Sequence, residues 1–116
     1  MNDTILVVEN DRTIARTIRN MVRRLGYNVV RSEFSTGEAA IEAAASQNPA
    51  LILMNVGLTG KMNGREAGDI IWSDLQIPII YITGYLVPGS DLKTLDLLSK
   101  PIDKDMLKAA IENCLT

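Results

Sequence analysis

Residues Thr4–Asp11 read TILVVEND, a short continuous apolar run that ends in two acidic residues and an amide. Two further runs have the same apolar character, Ala50–Met54 (ALILM) and Ile79–Thr83 (IIYIT). Such runs are typical of strands buried on both faces, as in a parallel sheet. Asn28–Val30 and Leu97–Ser99 are weaker strand candidates. The chain is therefore expected to contain five strands.

Helical periodicity fills the segments between these strands. Asp11 is placed to cap the first helix, and Gly26 is placed to end it. The apolar residues of this helix recur at helical spacing. Those residues are Ile14, Ile18, Met21, Val22 and Leu25. An alanine-rich helix is expected over Gly37–Ser46, and Asp103 is placed to cap the last helix. Strands that alternate with helices predict a doubly wound α/β domain.

The third helix, over Arg65–Leu75, carries an apolar pattern of its own. We expect one buried face made of Ala67, Ile70, Ile71 and Leu75. Trp72 falls at the edge of that face, and we interpret it as partly buried core.

Length and composition limit the class of protein. The chain has 116 residues, 47% of them hydrophobic, and a net charge of −2, which fits one globular domain over residues 1–116 with no output domain. No apolar run approaches the ~20 residues of a membrane span, and the acidic balance disfavours direct nucleic-acid binding. The absence of histidine excludes histidine-based catalysis and the common zinc sites. A single cysteine, Cys114, cannot form an internal disulfide, which favours the cytoplasm.

The polar residues that follow the strands indicate where a site would form. In doubly wound sheets the site lies beyond the carboxyl ends of the strands. Four short segments occupy those ends: Glu9-Asn10-Asp11, Asn55-Val56-Gly57, Thr83-Gly84 and Ser99-Lys100-Pro101. In order and spacing, ILVVEND, LILMN, IIYITG and SKPID resemble the receiver domain of two-component response regulators. The resemblance covers nearly the whole chain.

The resemblance implies a flavodoxin-like sheet order, 2-1-3-4-5, and a set of site positions. Receivers carry an acidic pair after strand one, here Glu9 and Asn10, and a phosphate-accepting aspartate at the end of strand three, here Asn55. Thr83 and Gly84 match the phosphoryl-contact positions after strand four. Lys100 matches the remaining phosphoryl contact, and Pro101 matches a cis-proline. Receivers bind Mg²⁺ at the positions of Glu9, Asn10, Asn55 and Gly57.

Two amides replace the family's acids. Asn55 has no anionic oxygen with which to attack phosphorus, so we expect no phosphorylation at this position. Asn10 and Asn55 together remove two negative charges, so Mg²⁺ binding should be weak or absent, and no cofactor is expected. Asp11 lies one residue beyond the pair. Only 17 positions separate Thr83 from Lys100 and a Pro-Gly pair interrupts them, which predicts a shortened helix after strand four.

The first helix also carries a basic pattern. Arg12, Arg16, Arg19 and Arg23 recur at spacings of 4, 3 and 4, within about 60° of each other and opposite the apolar positions. In receivers this helix often forms part of the docking face. A docking surface for an acidic partner and an ordinary solvated face both remain open.

Three functions are compatible with these residues. The first is a receiver-like signalling module of a two-component or phosphorelay system that is not an enzyme. It would act by contact with a histidine kinase, phosphotransfer protein or other signalling protein. The second is an ordinary Mg²⁺-dependent phosphoaspartyl receiver carried as an Asp-to-Asn inactivated variant. The third is a flavodoxin-like flavin or nucleotide binder, which the charges of Glu9-Asn10-Asp11 disfavour because they would repel phosphate.

Overall fold

The predicted apolar runs form the centre of a five-stranded parallel sheet. The computed structural model describes residues 3–30, 34–58, 60–83, 97–99 and 103–115, with backbone only for 97–99. The strands are β1 (Thr4–Val8), β2 (Asn28–Val29), β3 (Leu51–Asn55), β4 (Ile79–Thr83) and β5 (Leu97–Ser99). Their order is β2-β1-β3-β4-β5 and every pair is parallel. The predicted order 2-1-3-4-5 is confirmed.

Four helices are described, and side chains cap the start of each. They are α1 (Arg12–Arg24), α2 (Gly37–Gln47), α3 (Gly64–Leu75) and α4 (Lys104–Leu115). Asp11, Thr36, Asn63 and Asp103 accept hydrogen bonds from backbone N–H groups of the first turns. Such caps satisfy donors that a helix start leaves without a partner. The predicted caps Asp11 and Asp103 are confirmed. Gly26 ends the first helical segment at φ +96°, where glycine adopts a left-handed backbone without steric cost.

Helices cover both faces of the sheet and create two separate cores. Alternate residues of β1, β3 and β4 point to opposite faces. One set, with Leu6 and Ile52, packs with α2 and α3. The other, with Ile5 and Leu53, packs with α1 and α4. All five residues of β3 are buried, because both neighbouring strands and both helix layers surround it.

Part of the α3 prediction is wrong. The buried residues of α3 are Gly64, Ala67, Gly68 and Ile71. Ile70 and Leu75 are 37% and 39% exposed, and Trp72 is 52% exposed. The glycines let α3 lie close to the sheet on the side of Gly64 and Gly68, and Ile70 and Trp72 flank that side at about 100° from Ile71. Leu75 lies on the packed side but is the last residue of the helix.

The predicted helix between β4 and β5 falls within residues 84–96, outside the described part of the chain. Its predicted shortening therefore stays a prediction. Within the described residues, no helix is both long and apolar enough to cross a membrane.

Candidate functional site

The candidate site lies where the strand order reverses. The chain goes from β1 outward to β2 and then returns to the other side of β1 as β3. The loops that follow β1 and β3 therefore leave the sheet in opposite directions, which opens a crevice at their carboxyl ends. Glu9 and Asn10 follow β1, and Asn55 is the last residue of β3. Glu9 and Asn55 are buried, with 5% and 6% exposure, while Asn10 is exposed.

The side-chain amide of Asn55 joins these loops. Its nitrogen donates to Glu9 Oε2 at 2.9 Å and to Asn10 Oδ1 at 2.7 Å. Its oxygen accepts from the backbone N–H of Gly57 at 3.1 Å. The backbone N–H of Asp11 also donates to Glu9 Oε2, at 3.1 Å. Both hydrogens of the Asn55 amide are thus used, in bonds that tie the loop after β1 to the end of β3.

The chemistry of the partners fixes the orientation of this amide. An ionised carboxylate only accepts hydrogen bonds, and a backbone N–H only donates. Glu9 therefore requires the NH₂ of Asn55 on its side, and Gly57 requires the oxygen on the other side. Asn10 must then present its own oxygen to the Asn55 NH₂. The three contacts agree on one arrangement.

The close fit of α3 fixes the position of Asn55. The backbone of Gly64, the first residue of α3, lies directly against the backbone carbonyl of Asn55, with no room for a Cβ atom. Its N–H donates to the carbonyl of Val56 at 2.9 Å. One turn further, Gly68 lies equally close to the side chain of Tyr81 in β4. The Arg65 guanidinium lies 5.7 Å from the Tyr81 ring centroid.

Gly64 and Gly68 are not among the site residues predicted from the sequence. A signal was present, because glycine inside a helix is unfavourable by about 1 kcal/mol relative to alanine and usually has a packing reason. Two glycines four residues apart lie on the same side of a helix. That spacing indicates close approach to a neighbouring element.

Other predicted site residues are placed only in part. Thr83 ends β4, half-buried, and is paired in register with Ser99 of β5. It therefore lies at the same edge of the sheet as Asn55. Gly84, Lys100 and Pro101 fall outside the described residues, so their expected phosphoryl-contact and cis-proline roles stay predictions.

Asp11 caps α1, as predicted. Its carboxylate Oδ1 accepts from the backbone N–H of Ile14 at 3.0 Å. The carboxylate thus stabilises the start of the helix, where negative charge is also favoured by the helix dipole. Asp11 is exposed, and the buried carboxylate beside Asn55 is that of Glu9.

The predicted arginine surface on α1 needs one correction. Arg12, Arg16 and Arg23 are exposed, as expected for a docking or solvated face. Arg19 is buried, with 8% exposure. Among the four arginines it lies nearest on the helix to Ala15 and Val22, which are also buried. A long arginine stem readily covers such apolar surface. The prediction that Arg19 lies opposite the apolar face is wrong.

Comparison with known protein families identifies the class of this chain. A family model described as the response regulator receiver domain matches residues 5–112. The chain therefore belongs to the response regulator receiver family, whose members are signalling proteins. This membership agrees with the sheet order and decides against the flavodoxin-like flavin or nucleotide binder.

Individual relatives support the same assignment. The chain is 29% identical over 118 residues to the phyllosphere-induced regulator PhyR of Methylorubrum extorquens, covering 99% of this chain and 44% of that protein. It is 30% identical over 121 residues to the alkaline phosphatase synthesis regulatory protein PhoP of Bacillus subtilis, covering 99% of this chain and 49% of that protein. The chain thus spans less than half the length of these two relatives.

Solved structures extend the similarity to three dimensions. The signal receiver domain of a modulated diguanylate cyclase from Desulfovibrio desulfuricans has a TM-score of 0.87 and 29% identity, with 97% of this chain and 92% of that chain covered. The anti-anti-sigma factor PhyR from Bartonella quintana has a TM-score of 0.85 and 30% identity, with 99% of this chain and 48% of that chain covered.

The Mg²⁺ that the family resemblance implies does not fit the residues present here. Magnesium prefers oxygen ligands in near-octahedral geometry, but the Asn55 side chain directs its NH₂ toward Glu9 and Asn10. The oxygen of Asn10 is already an acceptor for that group. Among the described residues, no three His, Cys, Asp or Glu side chains form a group that could hold a metal ion.

Proposed function

We propose that this chain is a receiver domain that signals through protein–protein contact and accepts no phosphoryl group at Asn55. One observation carries the proposal: the phosphate-accepting position holds an amide whose nitrogen and oxygen are both engaged in hydrogen bonds within the protein. An amide has no anionic oxygen for attack on phosphorus. The proposed role is therefore that of a signalling module without an enzymatic activity of its own.

Treatment of the purified chain with acetyl phosphate and Mg²⁺ tests this proposal. Intact-mass spectrometry should show no phosphoryl adduct, while a receiver with an aspartate at the acceptor position should be modified under the same conditions. A phosphoryl group mapped to the residues around Asn55 would overturn the proposal.

The alternative of an ordinary Mg²⁺-dependent phosphoaspartyl receiver carried as an Asp-to-Asn inactivated variant receives less support. Asn10 departs from the family pattern as well, and its oxygen accepts from Asn55 at 2.7 Å. The two amides are thus complementary in hydrogen bonding. Sequencing of the genomic copy of the gene tests this alternative, because an engineered change would appear there as an aspartate codon at position 55.

The proposed partner is an acidic surface of a histidine kinase, phosphotransfer protein or other signalling protein of the cytoplasm. Helix α1 contains five arginines and no acidic residue. Arg12, Arg16 and Arg23 form its exposed basic surface. Complementary charge accelerates encounter and selects partners more than it adds affinity, so the surface is suited to transient recognition.

A further inference from the structure

We propose, building on the function proposed above, that the NH₂ group of Asn55 is the chain's own replacement for the family's metal ion. In this proposal the amide holds the loop after β1 against the end of β3 in a fixed state, without cation or phosphate. Asn55 is then a positioning residue, and Asn10 is its matched acceptor.

The NH₂ group of Asn55 contacts the positions at which a receiver binds its cation. Its two acceptors, Glu9 Oε2 at 2.9 Å and Asn10 Oδ1 at 2.7 Å, belong to the two acid-pair positions after β1. Oxygens at these positions, together with one from the residue at the end of β3, are what a receiver offers its cation. Here the residue at the end of β3 supplies a hydrogen-bond donor to the other two. A cation bound by oxygens at all three positions cannot coexist with this orientation of the Asn55 NH₂ group.

The NH₂ group of Asn55 also stabilises the buried carboxylate of Glu9. Glu9 is the carboxylate retained among the three acid positions, and it is 5% exposed. A buried carboxylate needs compensating hydrogen bonds, and Oε2 receives them from the Asn55 NH₂ and the Asp11 backbone N–H. With an aspartate at position 55 the same carboxylate would face a second negative charge and lose a donor.

The two departures from the family pattern thus amount to one exchange. A divalent cation and two carboxylates are replaced by a neutral donor and a neutral acceptor. Asn10 is exposed, and its side-chain oxygen accepts from the Asn55 NH₂ at 2.7 Å. The aspartate-to-asparagine changes at positions 10 and 55 are therefore expected to depend on each other.

The main test compares wild type with Asn55→Asp, by urea unfolding without divalent cations and with millimolar Mg²⁺. Wild type should show the same stability in both conditions. Asn55→Asp should raise the unfolding equilibrium constant at least about tenfold without metal, since a bond to a charged group is lost. Mg²⁺ should recover part of that loss.

Two variants serve as matched controls. Asn63→Asp makes the same chemical change at the cap of α3, where the side chain accepts rather than donates, so it should unfold like wild type and ignore Mg²⁺. Asn10→Asp keeps an acceptor for the Asn55 NH₂, so its loss of stability should be smaller than that of Asn55→Asp.

Nuclear magnetic resonance of the wild type provides a readout that needs no folded variant. The Asn55 side-chain NH₂, assigned through the backbone, should exchange slowly with solvent and should not shift when Mg²⁺ is added. Fast exchange, or a Mg²⁺-dependent shift of Asn55 and Glu9, would overturn the proposal. Equal stability of Asn55→Asp and wild type would also overturn it.

These results are separable from those that test the proposed function. A phosphoryl adduct at the site in wild type would overturn the absence of phosphorylation, whatever the NH₂ exchange rate. A Mg²⁺-sensitive wild type that still takes no phosphate would overturn the replacement of the cation and leave the proposed function intact.

Discussion

The backbone of Gly64 lies against the carbonyl of Asn55 with no space for a side chain between them. This contact joins the start of α3 to the residue at the centre of the candidate site. It is reinforced by the hydrogen bond from the Gly64 N–H to the Val56 carbonyl, 2.9 Å long. A displacement of α3 at this point would therefore displace Asn55 as well.

Gly64→Ala should destabilise the protein by about 3 kcal/mol, because the added methyl group meets rigid backbone rather than a side chain that could rotate. Urea unfolding measures the change. Gly57→Ala is the matched control in the same loop region, because a Cβ there meets only Asn55 Oδ1, at 3.8 Å. Equal stability of the two variants would show that the contact at Gly64 is not tight.

Asp11→Ala should lower the free energy of unfolding by about 1 kcal/mol through loss of the helix cap. Asp11→Asn keeps a side-chain oxygen at the same place and should retain most of the stability. Like wild type, both variants should have the same stability with and without Mg²⁺, because the Asp11 carboxylate accepts from the backbone N–H of Ile14. A wild type that Mg²⁺ stabilises, with that stabilisation lost in both variants, would instead identify Asp11 as a metal ligand.

Simultaneous Arg16→Glu and Arg23→Glu should weaken binding to an acidic partner by about tenfold or more while the fold stays intact. Binding by wild type should weaken with added salt, since exposed charges are screened beyond about 10 Å at 0.1 M ionic strength. Calorimetry with a phosphotransfer protein from the same organism measures both effects. Unchanged affinity in the double variant would identify the arginines as an ordinary solvated face.

Arg19→Glu should behave differently from the exposed pair. Its side chain is 8% exposed, so the substitution should destabilise the domain by about 1–3 kcal/mol, because it buries a new negative charge. Thermal melting separates this outcome from a loss of binding. If Arg19→Glu has the melting temperature of wild type, Arg19 is exposed and not buried.

Asn10→Asp combined with Asn55→Asp should restore the chemistry of a phosphorylatable receiver in part. Without metal this double variant should be less stable than wild type, since three carboxylates then share one crevice. Millimolar Mg²⁺ should reverse the loss, because a ligand that binds only the folded state stabilises it. Asn55→Asp alone should respond more weakly to the metal. Thermal melting with and without Mg²⁺ measures these changes.

The same double variant should accept phosphate slowly from acetyl phosphate, detected by mass spectrometry. Wild type under identical conditions is the control. A double variant with neither metal stabilisation nor phosphorylation would show that the crevice no longer has the geometry of a receiver site.

The sequence by itself determined the strands, two of the four described helix caps and the amide at the end of β3. Thr4–Val8 and Ile79–Thr83 are strands with the predicted bounds, because a continuous apolar run requires burial on both faces. Asp11 and Asp103 cap helices because the bond from a cap to the backbone N–H three residues later is local. That Asn55 lacks a nucleophilic oxygen is a property of the residue type alone.

Only the tertiary structure decided which helix flanks are covered and what the Asn55 amide contacts. Arg19 is buried and Trp72 exposed because neighbouring elements, and not helical periodicity, determine how far each buried face extends. Glu9 and Asn55 are 46 residues apart in the chain, so no local pattern reports that the amide donates to this carboxylate. The hydrogen bond exists because parallel strands place their carboxyl ends at one edge of the sheet, where residues distant in sequence come into contact.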